Sequence, residues 1–145
     1  MASVRDILQQ KGSQVWSIGT GATTLQAAQL MTEHRIGSLV VIDQGRVAGI
    51  ITERDILNRV VAERRDPAQT TVADTMTAEV ACCSLATPLE EAKSAMKNRR
   101  VRHLPVLDGD ERLLGVISIG DLNAYETADH EQTIFLMSEY IYGRV

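Results

Sequence analysis

The sequence is poor in aromatic residues: one Trp, three Tyr and one Phe, 3 % of 145 residues. Aliphatic side chains must therefore fill the interior, and Ala, Val, Ile and Leu are plentiful enough to do so. Long hydrophobic runs are lacking too. Leu39-Val40-Val41-Ile42 and Leu113-Leu114-Gly115-Val116-Ile117 are strand-sized, far below the roughly 20 apolar residues of a membrane helix, so no membrane association is expected. The N-terminal residues Met1 to Asp6 show no basic stretch followed by an apolar run, the mark of a secretory signal, and a cytoplasmic location is expected. A basic excess is missing as well: 15 Lys and Arg stand against 19 Asp and Glu, a net charge of −4. This argues against a general nucleic-acid surface, which needs clustered positive charge.

Cysteine is scarce and oddly placed. Cys82 and Cys83 are adjacent, a spacing that strains a mutual disulfide and differs from the CxxC of zinc or redox sites. One buried and one partly exposed thiol is the expectation, with an intermolecular disulfide or a thiol sensor as the alternative. Catalytic signatures are also absent: no GxSxG, HExxH, GxxxxGK[ST] or GxGxxG occurs, and Gly19-Thr20-Gly21 lacks the third glycine of a dinucleotide loop. His34, His103 and His130 show no metal spacing. Neither an enzyme nor a metal cofactor is expected.

What the chain does contain is a repeat. Val4-Arg5-Asp6-Ile7-Leu8 recurs as Val72-Ala73-Asp74-Thr75-Met76, an offset of 68. Thr24 to Met31 has its counterpart in Leu89 to Met96, an offset of 65. Gly49-Ile50-Ile51-Thr52-Glu53-Arg54-Asp55-Ile56 matches Gly115 to Leu122, an offset of 66. The drift implies small insertions in loops.

Each copy reads alike. Thr23 to His34 is an amphipathic helix with Ala27 and Met31 at helical spacing, capped by Thr23 or Thr24 and followed by Gly37 at the cap region of its C-terminus. Leu39 to Ile42 is a buried strand, Asp43-Gln44-Gly45 a hairpin turn, and Val47 to Ile51 the returning strand. Thr52 opens a second helix through Val61. In the second copy Pro88 occupies the first turn of the helix and Asp108-Gly109-Asp110-Glu111 is the matching turn. The order is strand, helix, strand, strand, helix: an α/β class with one small sheet and two helices per copy. The expected divisions are 1–66, 67–126 and a C-terminal helix in 127–145, with Glu63 to Thr70 as the linker. A unit of roughly 60 residues is marginal alone, so the two copies should pack sheet to sheet. A helix over Glu131 to Tyr142 would pack on the pair, on a second chain, or on another protein.

Two features could carry chemistry. The first is glycine, two aliphatics, a hydroxyl residue, two spacers and aspartate: Gly49, Thr52 and Asp55, then Gly115, Ser118 and Asp121. A carboxylate in the first turn of a helix can accept two hydrogen bonds from a vicinal diol such as ribose, at about 1.5–3 kcal/mol each, and nearby N–H groups suit a phosphate. The same Ser/Thr-x-x-Asp pattern is a capping box; its duplication after two buried strands favours a ligand role. The second is Arg99-Arg100-Val101-Arg102-His103 before the strand Leu104-Pro105-Val106. Arg102 and His103 could hold a phosphate or merely answer a helix dipole. Arg35-Ile36-Gly37-Ser38 stands in their place in the first copy, so the two clefts should differ.

The paired helices, the RHLPV strand and the GxxSxxD punctuation resemble a tandem of cystathionine-β-synthase (CBS) domains from about residue 3 to 123. "VWSI", "TERD", "RHLPVLD" and "SIGDL" occur in the order of stand-alone bacterial CBS pairs, although Val40 stands where proline is frequent in the family. The resemblance implies a regulatory module that binds an adenine nucleotide (AMP, ADP, ATP or an NAD-type ligand) between the copies. It implies one cleft with Ser118 and Asp121 at ribose and phosphate, Arg102 and His103 at phosphates, and Trp16, Ile36, Gly37 and Ser38 at the base. It implies a second with Thr52, Arg54 and Asp55, and base contacts near Thr77, Ala81 and Val101. A homodimer and an unidentified regulated protein are the implied partners. A ligand-free interaction protein, or a thioredoxin-type redox regulator using Cys82 and Cys83, is the alternative.

Overall fold

The computed structural model describes residues 1–12 and 14–128; the helix expected over Glu131 to Tyr142 lies outside them. The order is α1 (Val4–Lys11), β1 (Ser17–Gly19), α2 (Thr24–His34), β2 (Ser38–Asp43), β3 (Arg46–Thr52) and α3 (Glu53–Ile56), which runs on as a π-helical turn over Leu57–Val61. The second copy follows: α4 (Val72–Thr75), α5 (Leu89–Arg99), β4 (His103–Leu107), β5 (Leu113–Ser118) and α6 (Ile119–Ala128). The first sheet has order β1-β2-β3, with β1 parallel to β2 and β2 antiparallel to β3; the second is the antiparallel pair β4-β5.

Local chemistry explains most boundaries. Thr23 is the N-cap of α2: its hydroxyl accepts from the Gln26 N–H at 3.1 Å, and the Gln26 side chain accepts from the Thr23 N–H at 2.9 Å. Pro88 is the N-cap of α5, one position before the first turn. The expectation for Gly37 is corrected: α2 ends on Arg35 in the left-handed region (φ 54°), and α5 ends likewise on Arg100 (φ 55°). The β2–β3 hairpin turns on Gln44 and Gly45, both with positive φ, which the twist of paired strands favours.

Copy two lacks a full equivalent of β1. Only an isolated parallel bridge, Cys83 to Val106, remains where Ile18 pairs with Val41 in copy one. Cys83 therefore fills an apolar strand position and packs against the second core.

The two cores do not follow the order of the repeats. Val4, Ile7 and Leu8 of α1 are buried with Ala92, Met96, Leu104, Val106, Ile117 and Leu122 of copy two. Val72 of α4 is buried with Ala27, Met31, Leu39, Val41 and Ile51 of copy one. Each opening segment thus docks on the other copy, through matched hydrogen bonds. The Val4 N–H donates to the Thr87 carbonyl (2.9 Å) and Arg5 to Leu85 (3.0 Å); Val72 donates to Ala22 (2.8 Å) and Ala73 to Thr20 (3.1 Å). Residues 66–70, within the expected linker, are stitched to the start of α2. The buried Thr24 hydroxyl donates to the Pro67 carbonyl (3.0 Å), and the buried Thr70 hydroxyl to the Asp66 carbonyl (2.7 Å). Burying those hydroxyls costs little because each is paired.

Candidate functional site

The repeated hydroxyl and aspartate form capping boxes in both copies. Thr52 caps α3, with Asp55 N–H to Thr52 Oγ1 at 3.1 Å and Thr52 N–H to Asp55 Oδ2 at 3.0 Å. Ser118 caps α6 in the same way, at 3.1 Å and 2.8 Å. Capping and ligand binding are compatible, because a carboxylate has two oxygens and about four acceptor sites.

A cavity of about 210 Å³ opens between the copies. Copy one contributes Val15, Trp16, Ile36, Gly37, Ser38 and Val40 to its wall. Copy two contributes His103, Val116 and Ser118, and α1 contributes Lys11. Of the residues expected in the first cleft, Trp16, Ile36, Gly37, Ser38, His103 and Ser118 thus line one space. Asp121 is reached through Lys11, whose ammonium donates to Asp121 Oδ2 at 2.7 Å and to the Val116 carbonyl at 2.9 Å. Arg102 is exposed and outside the lining; its carbonyl accepts from the Ile119 N–H at 2.9 Å. The volume is below the roughly 300–1,000 Å³ of small-molecule pockets, so a nucleotide would be enclosed only in part.

Trp16 is 36 % exposed, and its ring stacks on His34 with centroids 3.5 Å apart and planes 14° from parallel. One face of the indole is thereby held. Gly37 sits against Glu53: a Cβ added there would lie 3.2 Å from the Glu53 carboxyl group.

Electrostatics sharpen the picture. Burial would raise the Asp121 carboxyl, but the Lys11 ammonium and the Ser118 N–H outweigh it and hold the group below its ordinary value. Burial pushes the His103 imidazole below its ordinary value; Asp121 pulls it up, while Lys11 and Arg102 push it down. Burial thus disfavours the charged form of the ring.

The second expected cleft is assembled less fully. The Thr77 hydroxyl donates to Asp55 Oδ1 at 3.4 Å, and Thr77 bridges to Ile50. Arg54 is exposed, and Ala81 and Val101 pack against the second core. Burial and the nearby Glu111 raise the Cys82 thiol; burial and Cys82 push Cys83 up to about 11. Thiols held protonated are poor nucleophiles, which disfavours thiolate redox chemistry. Among the described residues no group of three or more His, Cys, Asp or Glu is gathered to hold a metal, and no helix is long and apolar enough to cross a membrane.

Sequence reasoning missed Lys11, the charged residue of the cavity wall, along with the apolar Val15, Val40 and Val116. Lys11 lies 110 positions from Asp121, and nothing in the pattern of α1 announces that α1 docks on the other copy.

Comparison with known proteins identifies the family. The CBS domain profile matches residues 3–62 and again 72–127. The CBS domain-containing protein YhcV of Bacillus subtilis is 35 % identical over 122 residues, covering 84 % of each chain. A mitochondrial CBS domain-containing protein of Arabidopsis thaliana is 33 % identical over 151 residues, 97 % of this chain and 72 % of the relative. Among solved structures, a CBS-domain protein of Burkholderia ambifaria superposes with a TM-score of 0.84 at 39 % identity, over 88 % of this chain and 96 % of that one. The chain therefore belongs to the CBS domain family and carries the domain twice, as a tandem regulatory module.

Proposed function

We propose that the cavity between the copies binds an adenine nucleotide (AMP, ADP, ATP or an NAD-type ligand) and that the protein acts as a sensor without catalysing a reaction. The observation that carries this reading is the convergence of Lys11, Trp16, His103 and Ser118 on one cavity lined from both copies, with Asp121 behind the wall on the Lys11 ammonium. In this reading the ribose diol takes Asp121, the adenine rests on the free face of Trp16, and the phosphates leave the cavity near His103 and Arg102. A ligand touching both copies is paid for by fixing their relative packing, and that fixed packing is what a regulated protein would recognise. The second cleft, with Thr52, Arg54, Asp55, Thr77, Ala81 and Val101, is the weaker candidate, because the wall described above gathers on the first.

Thermal unfolding with each nucleotide tests this. A ligand at 100 times its dissociation constant stabilises the native state by about 2.7 kcal/mol, a rise of roughly 5–10 °C for a chain of this size. Asp121→Asn keeps a capping oxygen for Ser118 and loses the charge, so it should abolish the rise; the apo melting temperature should itself fall, because the ion pair with Lys11 is lost, and the rise is read against that lower baseline. A wild-type protein indifferent to every nucleotide would favour a ligand-free interaction module.

We also propose a homodimer. Leu57 and Val61, on the π-helical turn after α3, are large apolar side chains left 58 % and 61 % exposed. Burial of this pair against a second copy predicts that Leu57→Glu shifts the sedimentation mass from dimer to monomer; an unchanged mass removes this face from the interface.

A further inference from the structure

We infer that His34 is a positioning residue of the first cleft: stacked on one face of Trp16, it fixes the indole plane as a platform for a flat aromatic base on the other face. The inference rests on the nucleotide reading above and adds the residue that gives the base its place. Trp16 needs such a support. It stands just before β1, in a stretch (residues 14–16) without regular structure. Its carbonyl accepts from the Val40 N–H at 3.3 Å, which fixes the backbone and leaves the ring to turn about its own side-chain bonds. At 36 % exposure the core does not enclose the indole.

His34 opposes that rotation from a fixed support. It is the last residue of α2, which is anchored by the buried Ala27 and Met31. The helix closes there with two paired hydrogen bonds. Arg35, left-handed at φ 54°, donates its N–H to the Thr32 carbonyl at 3.4 Å, and the Ile36 N–H donates to the Met31 carbonyl at 3.0 Å. This closure fixes the backbone of His34 and sends Ile36, Gly37 and Ser38 into the cavity wall. The imidazole and indole centroids are 3.5 Å apart and the planes 14° from parallel. Trp16 contributes to the cavity wall and His34 stands outside it, so the imidazole backs the indole from the side away from the cavity. A ring already held in place loses little further rotamer freedom when a base stacks on it.

The other copy shows the contrast. Cys83 bridges Val106 as Ile18 pairs with Val41, an offset of 65. At the same offset α5 closes as α2 does, Arg100 donating to the Lys97 carbonyl at 3.3 Å and Val101 to the Met96 carbonyl at 3.0 Å. Ala81 then stands in the place of Trp16 and Arg99 in the place of His34. The backbone frame is repeated and the aromatic pair is not. Of the two equivalent places, the one in the first cleft carries the platform, one per chain.

The test begins on the ligand-free full chain. It has one tryptophan, so the indole band of its near-ultraviolet circular dichroism reports Trp16. His34→Gln should lose most of that band, because a turning ring has no fixed asymmetric surroundings. His34→Phe, which keeps a flat ring at the position, should retain it. Calorimetric titration with AMP and with ribose 5-phosphate, which has the sugar and phosphate and lacks the base, reads the consequence. AMP should bind His34→Gln roughly two- to tenfold more weakly than wild type, the range for immobilising one side chain, and should bind His34→Phe about as well as wild type. Ribose 5-phosphate should bind all three chains alike. An indole band unchanged in His34→Gln overturns the positioning role. So does an AMP affinity unchanged after the band is lost, or an equal loss for AMP and ribose 5-phosphate; each of these spares the nucleotide reading. Wild type that fails to bind AMP overturns that reading and the base platform with it.

Discussion

Ile7→Ala is expected to destabilise the second copy of the repeat, although Ile7 lies in the first. Ile7 is 3 % exposed and belongs to the core built on Met96, Leu104, Val106 and Ile117. Truncating a buried isoleucine to alanine costs about 2–5 kcal/mol, because the transfer energy is lost and the cavity closes only in part. For this chain that is a fall in melting temperature of order 10 °C. The location of the damage separates this fold from a simple tandem. Amide hydrogen exchange should show Leu104, Val106 and Ile117 losing protection while Leu39, Val41 and Ile51 keep theirs, since stability is distributed by cooperative unit. Val72→Ala should do the reverse, loosening the first sheet from a residue in the second repeat. If Ile7→Ala instead exposes Leu39 and Ile51, the opening helix packs on its own copy and the exchange is wrong.

That exchange marks the limit of what the sequence discloses. The repeat itself was legible, because a drift in offset from 68 to 65 to 66 needs only residue matching. So were both hairpins, from Gly45 and the Asp108 turn, and the two capped aspartates. The exchange was not legible, because Val4 and Val72 sit in near-identical patterns that would satisfy either core. Hydrophobic spacing says which face of α1 is buried, not against which sheet. The Lys11–Asp121 pair fails for the same reason, as does the stacking of Trp16 on His34, which joins a residue just before β1 to the last residue of α2. Local rules misjudged smaller points where several conformations are open to one residue. Gly37 looked like a helix cap, yet α2 ends on Arg35, and Gly37 serves instead as the place where the Glu53 side chain approaches. The functional roles of Asp55 and Asp121 stay tied to the family resemblance, because the capping box explains the spacing without a ligand.

The glycines of the two punctuation motifs tie the exchange to the sites, and they should respond unequally to the same substitution. Gly49 in β3 lies under the segment that leaves α4: an added Cβ would stand 2.5 Å from the Thr77 carbonyl oxygen and 3.0 Å from Met76 Sδ. The first neighbour is backbone and is already committed, since Ile50 and Thr77 exchange two hydrogen bonds of 3.0 and 2.9 Å. Gly49→Ala must therefore push this strand-like pairing apart. Overpacking of about 1–3 kcal/mol, with two backbone hydrogen bonds at about 1 kcal/mol each, gives an expected loss of roughly 3–5 kcal/mol. An added Cβ at Gly115 in β5 would meet the Leu8 side chain, its Cδ atoms at 3.0 and 3.2 Å, and the end of a leucine yields more readily than backbone. Gly115→Ala should cost less, about 1–3 kcal/mol, and should disturb the docking of α1. Denaturant unfolding of the two variants decides the matter: a larger loss for Gly115→Ala, or equal losses, would mean that the pairing of Ile50 with Thr77 yields more easily than a leucine side chain. The expected order has a consequence for the clefts. Moving Thr77 withdraws its hydroxyl from Asp55, 3.4 Å away, so Gly49→Ala should loosen the second cleft while the wall around Lys11 and Asp121 persists. Moving Leu8 shifts the helix that carries Lys11, so Gly115→Ala, though milder for stability, should be the substitution that weakens AMP binding.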